Sequence, residues 1–241
     1  MRKEYEEHLI ECGGNAISAY SAYLKDKKIA LVGPSDSLDE KDEEYGKYLD
    51  NEYDLIVRIN RCQTGNSKGN RTDIVYLGSW NTEIEKQISN LRSEVVMLAV
   101  YGCFTEETLE LYAHLKEDID ILKETSDINE EMGHRCNSGF IAMIHLLKHD
   151  IKELFVTGFD FHRRNYSKYE RHPHSDNLDG VVKYFKSGLE VTNGLDGHKP
   201  DSDYRHFKYE MLPNDNRIIP DEALLKILED PKNDNIHERT E

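Results

Sequence analysis

The sequence predicts one α/β domain built on a doubly wound, mostly parallel sheet. Two observations predict it. Short apolar runs that end in glycine or a polar turn alternate with longer helical segments, as strands joined by crossover helices do. The length, 241 residues, and a hydrophobic fraction of 37% suit a single core better than two small ones. The chain divides into a helical segment (1–27), a main domain (28–229) and a charged tail (230–241).

Residues 3–26 carry apolar positions at helical spacing, interrupted by Gly13-Gly14, and read as one or two helices. Lys28-Ile29-Ala30-Leu31-Val32-Gly33 is an apolar run closed by glycine, as a buried parallel strand would be. The acidic stretch Asp39 to Asp50 reads as a solvated helix, and Leu55 to Asn60 as the second strand. A loop from Gln63 to Asn70, rich in Gly, Asn and Ser, precedes a third strand at Ile74 to Leu77. Helix 81–91, strand 94–100, helix 105–116 and strand 118–122 follow. Residues 136–149 read as a helix opening with Asn137-Ser138-Gly139, and Glu153 to Phe159 as another strand. Residues 162–203 are polar, with four histidines and four glycines; a connection this long carries function or lacks fixed structure. Regularity returns with a helix at 201–212, the strand Arg217-Ile218-Ile219 and a helix from Asp221 to Glu229. The last dozen residues are expected to fray.

Lys and Arg number 31 against 47 Asp and Glu, a formal net charge of -16. Such a field repels nucleic-acid phosphates and anionic lipid surfaces, so no nucleic acid is expected as a partner. Mean hydropathy is -0.74. No run of about 18 apolar residues is present, so no transmembrane segment is expected. The start, Met1-Arg2-Lys3-Glu4-Tyr5, lacks the apolar core of a signal peptide, and a cytoplasmic location is expected. Cys12, Cys62, Cys103 and Cys136 form no CxxC or CxxH pair, which favours free thiols and argues against a zinc site.

Three constellations carry candidate chemistry. Gly33-Pro34-Ser35-Asp36-Ser37 follows the first strand, where open α/β sheets bind ligands. Glycine there allows close backbone approach, and serine hydroxyls suit a phosphate or ribose, although a purely structural turn looks the same. It is neither GxGxxG nor a Walker loop, which argues against NAD and ATP. Arg58 and Asn60 close the second strand; Asn60 offers a donor and an acceptor to a nucleotide, or caps the following loop. Asn137-Ser138-Gly139 places small polar residues at a helix start, where N–H groups attract anions and where an ordinary cap would look similar.

In this order the motifs resemble those of sialyltransferases. Val32 to Leu38, Tyr45 to Asp50 and Asp54 to Asn60 resemble the large sialyl motif of the eukaryotic enzymes. Asn137-Ser138-Gly139 followed by Gly158-Phe159-Asp160-Phe161 resembles their small motif. Bacterial CMP-sialic acid-dependent sialyltransferases look similar through Ser138-Gly139 and the Gly-x-Asp-Phe ending. The resemblance spans roughly residues 28–229. It implies a Rossmann-like fold of the sialyltransferase type, a GT-A-like variant, with CMP across the strand ends. It also implies an inverting glycosyltransferase that moves sialic acid or Kdo from a CMP-sugar donor to a glycan or glycolipid acceptor, with no cofactor and no metal.

Carried over, the nucleotide contacts are Gly33, Ser35, Asn60, Asn137, Ser138 and Gly139. Two departures stand out. The families usually have Asn where this chain has Pro34, which lacks both an N–H and an amide. The animal enzymes join their motifs by a disulfide, whereas the matching positions, near Ile29 and His149, are not cysteine. The families also place a histidine base before a helix, often with a carboxylate five residues later, after a mobile lid. His198 with Asp203 fits best, with residues 162–197 as the lid; His174 with Asp179 has the same spacing, and His206 with Glu210 is a third candidate. Tyr166 and Tyr169 stand where bacterial enzymes hold tyrosines that donate to the leaving phosphate. His162, Arg163 and Arg164 are further candidates there. Asp118-Ile119-Asp120 and Asp201-Ser202-Asp203 are DxD sequences, but the first reads as a strand edge and the second as part of the base region. Two other readings stand beside this one. Pro34 also suits a non-catalytic, nucleotide-binding accessory protein on the same scaffold. His172-Pro173-His174-Ser175-Asp176 resembles the metal-binding start of a phosphoesterase barrel, for which only 61 residues follow Gly180.

Overall fold

The computed structural model describes residues 2–59, 64–77, 96–99, 119–161, 163 and 200–235. Helices α1 (Arg2–Glu11) and α2 (Ala16–Leu24) lead in. They part at Gly13 and Gly14, whose φ angles of 63° and 84° need glycine, and α2 restarts where Asn15 accepts a hydrogen bond from the Ser18 N–H. Then come β1 (Lys28–Val32), α3 (Glu43–Glu52), β2 (Leu55–Ile59), β3 (Ile74–Leu77) and β4 (Val96–Ala99). The second half holds α4 (Ile119–Met132), α5 (Ser138–Leu147), β5 (Glu153–Thr157), α6 (Pro200–His206), β6 (Ile218–Pro220) and α7 (Glu222–Glu229).

The six strands form one sheet in the order β4-β3-β2-β1-β5-β6, parallel throughout. β1 lies at its centre, with Ile29 opposite Leu55 on one side and Leu154 on the other. Successive side chains of β1 enter different cores, as the pleat requires. Ile29 and Leu31 join α2 and α5 in the larger cluster, and Ala30 and Val32 join Leu38, Leu49 and Tyr53 around α3. The sheet is therefore covered on both faces, which is why its strands read as continuous apolar runs.

Three sequence expectations change. The predicted strand 118–122 is instead the start of α4, so Ile119 and Asp120 are helical. The alternation of Ile119-Asp120-Ile121 imitates a strand, but Ile121, Ile128 and Met132 continue it at helical spacing. The charged tail does not fray at 230. Pro231–Asn235 forms a 3₁₀ turn held by Lys208 Nζ to Asp234 Oδ1 at 2.6 Å and Arg163 Nε to the Asn233 carbonyl at 3.2 Å. The acidic helix starts at Glu43, where Asp42 caps it by accepting the Tyr45 N–H. Helices 81–91 and 105–116 lie outside the described residues, as does the lid 162–197 apart from Arg163. No helix among the described residues is long and apolar enough to cross a membrane.

Arg58 is fully buried in β2 and meets the chain's own backbone. Its guanidinium donates to the carbonyls of Lys68 (2.8 Å) and Arg71 (2.9 and 3.0 Å) and to Thr72 Oγ1 (3.0 Å). Arg71 in turn donates to the carbonyls of Tyr53 and Asp54 and to Asp73. Gly46 belongs to the same arrangement, because α3 presses so hard on the 66–69 turn that a Cβ there would lie 1.9 Å from the Asn66 carbonyl oxygen. Arg58→Met removes the donors and strands several buried carbonyls. It should cost on the order of 3 kcal/mol or more, read from the urea midpoint at unchanged slope.

Candidate functional site at the carboxyl ends of β1 and β5

The strand order reverses between β1 and β5, so the crevice beyond their carboxyl ends is the switch point at which such sheets bind ligands. The turns that leave the two strands are bonded to each other. Gly33 N donates to the Thr157 carbonyl and Ser35 N to the Gly158 carbonyl, both at 2.8 Å. Ser35 Oγ donates to Asp160 Oδ2 at 3.0 Å and accepts from Ser37 N at 3.2 Å. Gly158 takes φ 69°, and a Cβ on it would lie 2.7 Å from Leu38 Cδ1 and 2.8 Å from the Gly33 carbonyl oxygen.

The start of α5 completes the crevice, and the ring of Phe159 joins it to the strand turns. A Cβ on Gly33 would meet the Gly158 carbonyl oxygen at 2.3 Å and the Phe159 ring at 2.7 Å. A Cβ on Gly139 would meet Phe159 Cε1 at 2.3 Å, and its next two contacts are also Phe159 atoms. The two glycines expected to approach a nucleotide are also tightly packed inside the protein, Gly33 against the Gly158 carbonyl and Phe159, and Gly139 against Phe159. Ser35 is fully buried, with its hydroxyl bonded to Asp160. Ser138 differs: it is half-buried at the first position of α5, and its side chain makes no hydrogen bond among the described residues. The leading N–H groups of α5 have no partners within the helix, so this end presents donors and the positive end of a dipole. Asn60 lies outside the described residues.

Asp203 has partners that its sequence position does not suggest. Fully buried on α6, it accepts from Asn137 N (3.0 Å) and Asn137 Nδ2 (2.8 Å) through Oδ2. Its Oδ1 lies 2.8 Å from His134 Nε2. The other nitrogen of His134 faces the Met132 carbonyl at 3.0 Å, an acceptor only, so Nδ1 carries a proton. Asp203 therefore holds the lead into α5 and orients His134. His134 was missed in the sequence because a lone histidine 69 residues from its carboxylate gives no local signal.

A cleft of about 420 Å³ opens beside this pair, with His134, Ser202, Arg205, His206 and Glu210 among its lining. His206 sets its ring edge-on to Phe140, 5.9 Å between centroids. The π-helical stretch Phe207–Met211 breaks the regular turn between His206 and Glu210, an irregularity often found at functional sites. His198, His174, Asp179, His172, Tyr166, Tyr169, His162 and Arg164 lie outside the described residues. Arg163, a candidate anion contact, is instead buried: it pairs with Asp201, donates to the Phe161 carbonyl and stacks over Tyr204 at 4.1 Å.

Two groups of side chains are compact enough to be weighed as metal ligands, His134 with Cys136 and Asp203, and Glu124 with His145 and His149. In the first, burial and then the neighbouring Asp203 push the Cys136 thiol well up, so it is neutral and a poor ligand.

No protein-family model matches the sequence, and no curated protein matches it. Among solved structures, one similar chain is the sialyltransferase CstII from Campylobacter jejuni in complex with the substrate analogue CMP-3FNeuAc. It has a TM-score of 0.50 and 16% identity, over 80% of this chain and 81% of that one. The chain has the sialyltransferase fold. Another match is the monofunctional alpha-2,3-sialyltransferase Cst-I of the same organism, with a TM-score of 0.50 and 18% identity over 81% and 75%. The all-parallel sheet and its switch point are the features expected of that fold.

Gly139→Ala should destabilise the protein, and Phe159→Ala should relieve most of that cost, giving a coupling energy of about 1 kcal/mol or more in a double-mutant cycle. Gly33→Ala should not be rescued in this way, because its shortest contact is a backbone oxygen. Asp203→Ala should cost about 3–5 kcal/mol in chemical denaturation, the usual loss on leaving a buried partner uncompensated.

Proposed function

We propose that the chain is an inverting, metal-independent glycosyltransferase that binds a CMP-activated sugar at the carboxyl ends of β1 and β5. It would pass the sugar, sialic acid or Kdo, to a hydroxyl of a glycan or glycolipid. One observation carries the reading. The turn Gly33 to Ser37 and the helix start Asn137 to Gly139, far apart in sequence and similar to the two sialyl motifs, meet at the switch point of a sialyltransferase fold. The analogue named with the Campylobacter enzyme is a CMP-sugar, and a helix N-terminus suits the single phosphate of such a donor.

In this reading Ser138 and the first N–H groups of α5 hold the phosphate, and Asn60 contacts the nucleoside. His198 takes the proton from the acceptor hydroxyl as its oxygen attacks the anomeric carbon. The bond to the CMP oxygen breaks on the opposite side, and the phenols of Tyr166 and Tyr169 donate to the departing phosphate. One phosphate needs less charge neutralisation than a diphosphate, so these donors serve in place of a metal. Asp203 acts as a positioning residue through α5 and His134, whatever its relation to His198. Residues 162–197 form a lid that excludes water from the donor.

A second reading, a nucleotide-binding accessory protein without catalysis, is favoured by Pro34 and by the engagement of Ser35 and Gly33 in internal packing. Product formation separates the two. Calorimetry should show CMP binding well above NAD or ATP, and Ser138→Ala should weaken CMP about fivefold, roughly 1 kcal/mol. Tight NAD binding without CMP binding would remove the proposal. His198→Ala should lower turnover by roughly 10²–10⁴-fold at nearly constant CMP affinity. His174→Ala should leave it largely intact, and turnover should survive EDTA.

A further inference from the structure

The far end of α5 carries a second arrangement that the nucleotide reading does not use. His145 and His149 lie four residues apart on one side of the helix and its C-terminal turn, both buried. Helix α4 places Glu124 against them, its side chain one-third exposed. One ligand atom from each of the three lies within 4.8 Å of the others. We propose that Glu124, His145 and His149 form a binding site for a divalent transition-metal ion, zinc by the chemistry of its donors.

Three features support the site. First, outer partners engage Nδ1 of both imidazoles. The Tyr76 hydroxyl lies 2.7 Å from His145 Nδ1 and is itself 3.0 Å from the Tyr20 hydroxyl, while Ser21 Oγ lies 3.0 Å from His149 Nδ1. This is how metal-bound histidines are held, with one nitrogen oriented by the protein and the other turned to the ion. Second, Nε2 of His149 is buried and has no hydrogen-bond partner among the described residues, whereas Nε2 of His145 is 3.1 Å from Glu124 Oε2. An orphaned nitrogen inside a core calls for an explanation, and a bound ion supplies one. Third, the group sits at the carboxyl end of α5, where the helix dipole favours a cation.

The spacing of Glu124 and His145 suits a tetrahedral ion. A tetrahedral ion with bonds of about 2.0–2.1 Å spaces its ligands by about 3.3 Å, close to the 3.1 Å between Glu124 and His145. Water would take the fourth position on the exposed side of Glu124. Two His and one carboxylate suit zinc among the common divalent metals. The ten residues of α5 place the site about 15 Å from Ser138, so the ion would join α2, α4, α5 and β3 and take no part in chemistry at the strand ends. This inference stands independently of the nucleotide reading.

The test uses the full chain, stripped with EDTA, desalted, and titrated with ZnCl₂ by calorimetry, with Co²⁺ as a spectroscopic probe. One zinc per chain is expected, with a rise in Tm and intense visible d–d absorption from tetrahedral Co²⁺. Glu124→Gln, at a partly exposed position, and His149→Gln should each weaken zinc by a hundredfold or more. Ser21→Ala should weaken it by about 10–100-fold. CMP affinity should be the same with and without zinc. Zinc binding absent in the unmodified chain, or unchanged in a folded Glu124→Gln protein, would overturn the proposal.

Discussion

Gly33 and Ser35, leaving β1, donate their N–H groups to carbonyls of Thr157 and Gly158, leaving β5. These two bonds hold the strand exits side by side at the point where the sheet reverses direction, and the rest of the structure is arranged around them. They require glycine at 33 and 158, because a side chain at either would strike the opposite backbone. They also place Phe159 so that its ring fills the gap to α5, which in turn requires Gly139. Ser35 adds a buried hydrogen bond to Asp160 across the same seam. The crevice is therefore shaped by close backbone approach and one aromatic ring, and the exposed chemistry is left to the helix start.

A second constraint is the cost of burying polar groups in so small a domain. Arg58, Asp73, Asp203 and Asp221 are all buried, and each is answered by the chain itself. Arg58 and Arg71 collect the carbonyls of the segment between β2 and β3. Asp73 accepts the Ile56 N–H at 2.6 Å. Asp221 caps α7 through the Leu224 N–H and accepts the Thr157 hydroxyl, which also meets Tyr45. Asp203 performs the same service for α5 and joins it to α6. Residues that look like ligand contacts in a motif are here the means by which loops of the site are held in place.

The two ends of α5 divide the proposed labour along its dipole. Its N-terminus, with Ser138 and N–H groups that have no partner within the helix, faces the strand-end crevice and suits an anion. Its C-terminus, with His145 and His149, suits a cation. The heavily acidic surface does not oppose phosphate binding at the first, because N–H donors act at short range whereas the field of exposed carboxylates is screened within about 10 Å at ordinary salt.

The sequence by itself determined the class of fold and where the strands lie. Buried parallel strands must be continuously apolar, and β1, β2, β3 and β5 carry that mark locally. It also determined where α7 begins, since Asp221 is a cap read within four residues. It misread Ile119 to Leu122, where a local alternation outweighed the longer helical pattern, and the tail, whose anchors Arg163 and Lys208 come from elsewhere in the chain. At the site it located the two converging segments but not the duty of each residue. Only the tertiary structure decided that Gly33 packs against Gly158 and Phe159 and Gly139 against Phe159, that Ser35 bonds Asp160, and that Asp203 bonds His134 and Asn137. Those pairings join residues up to 125 apart. Backbone conformation and burial pattern are encoded by near neighbours, whereas the partner of a buried polar group is chosen only when distant segments pack.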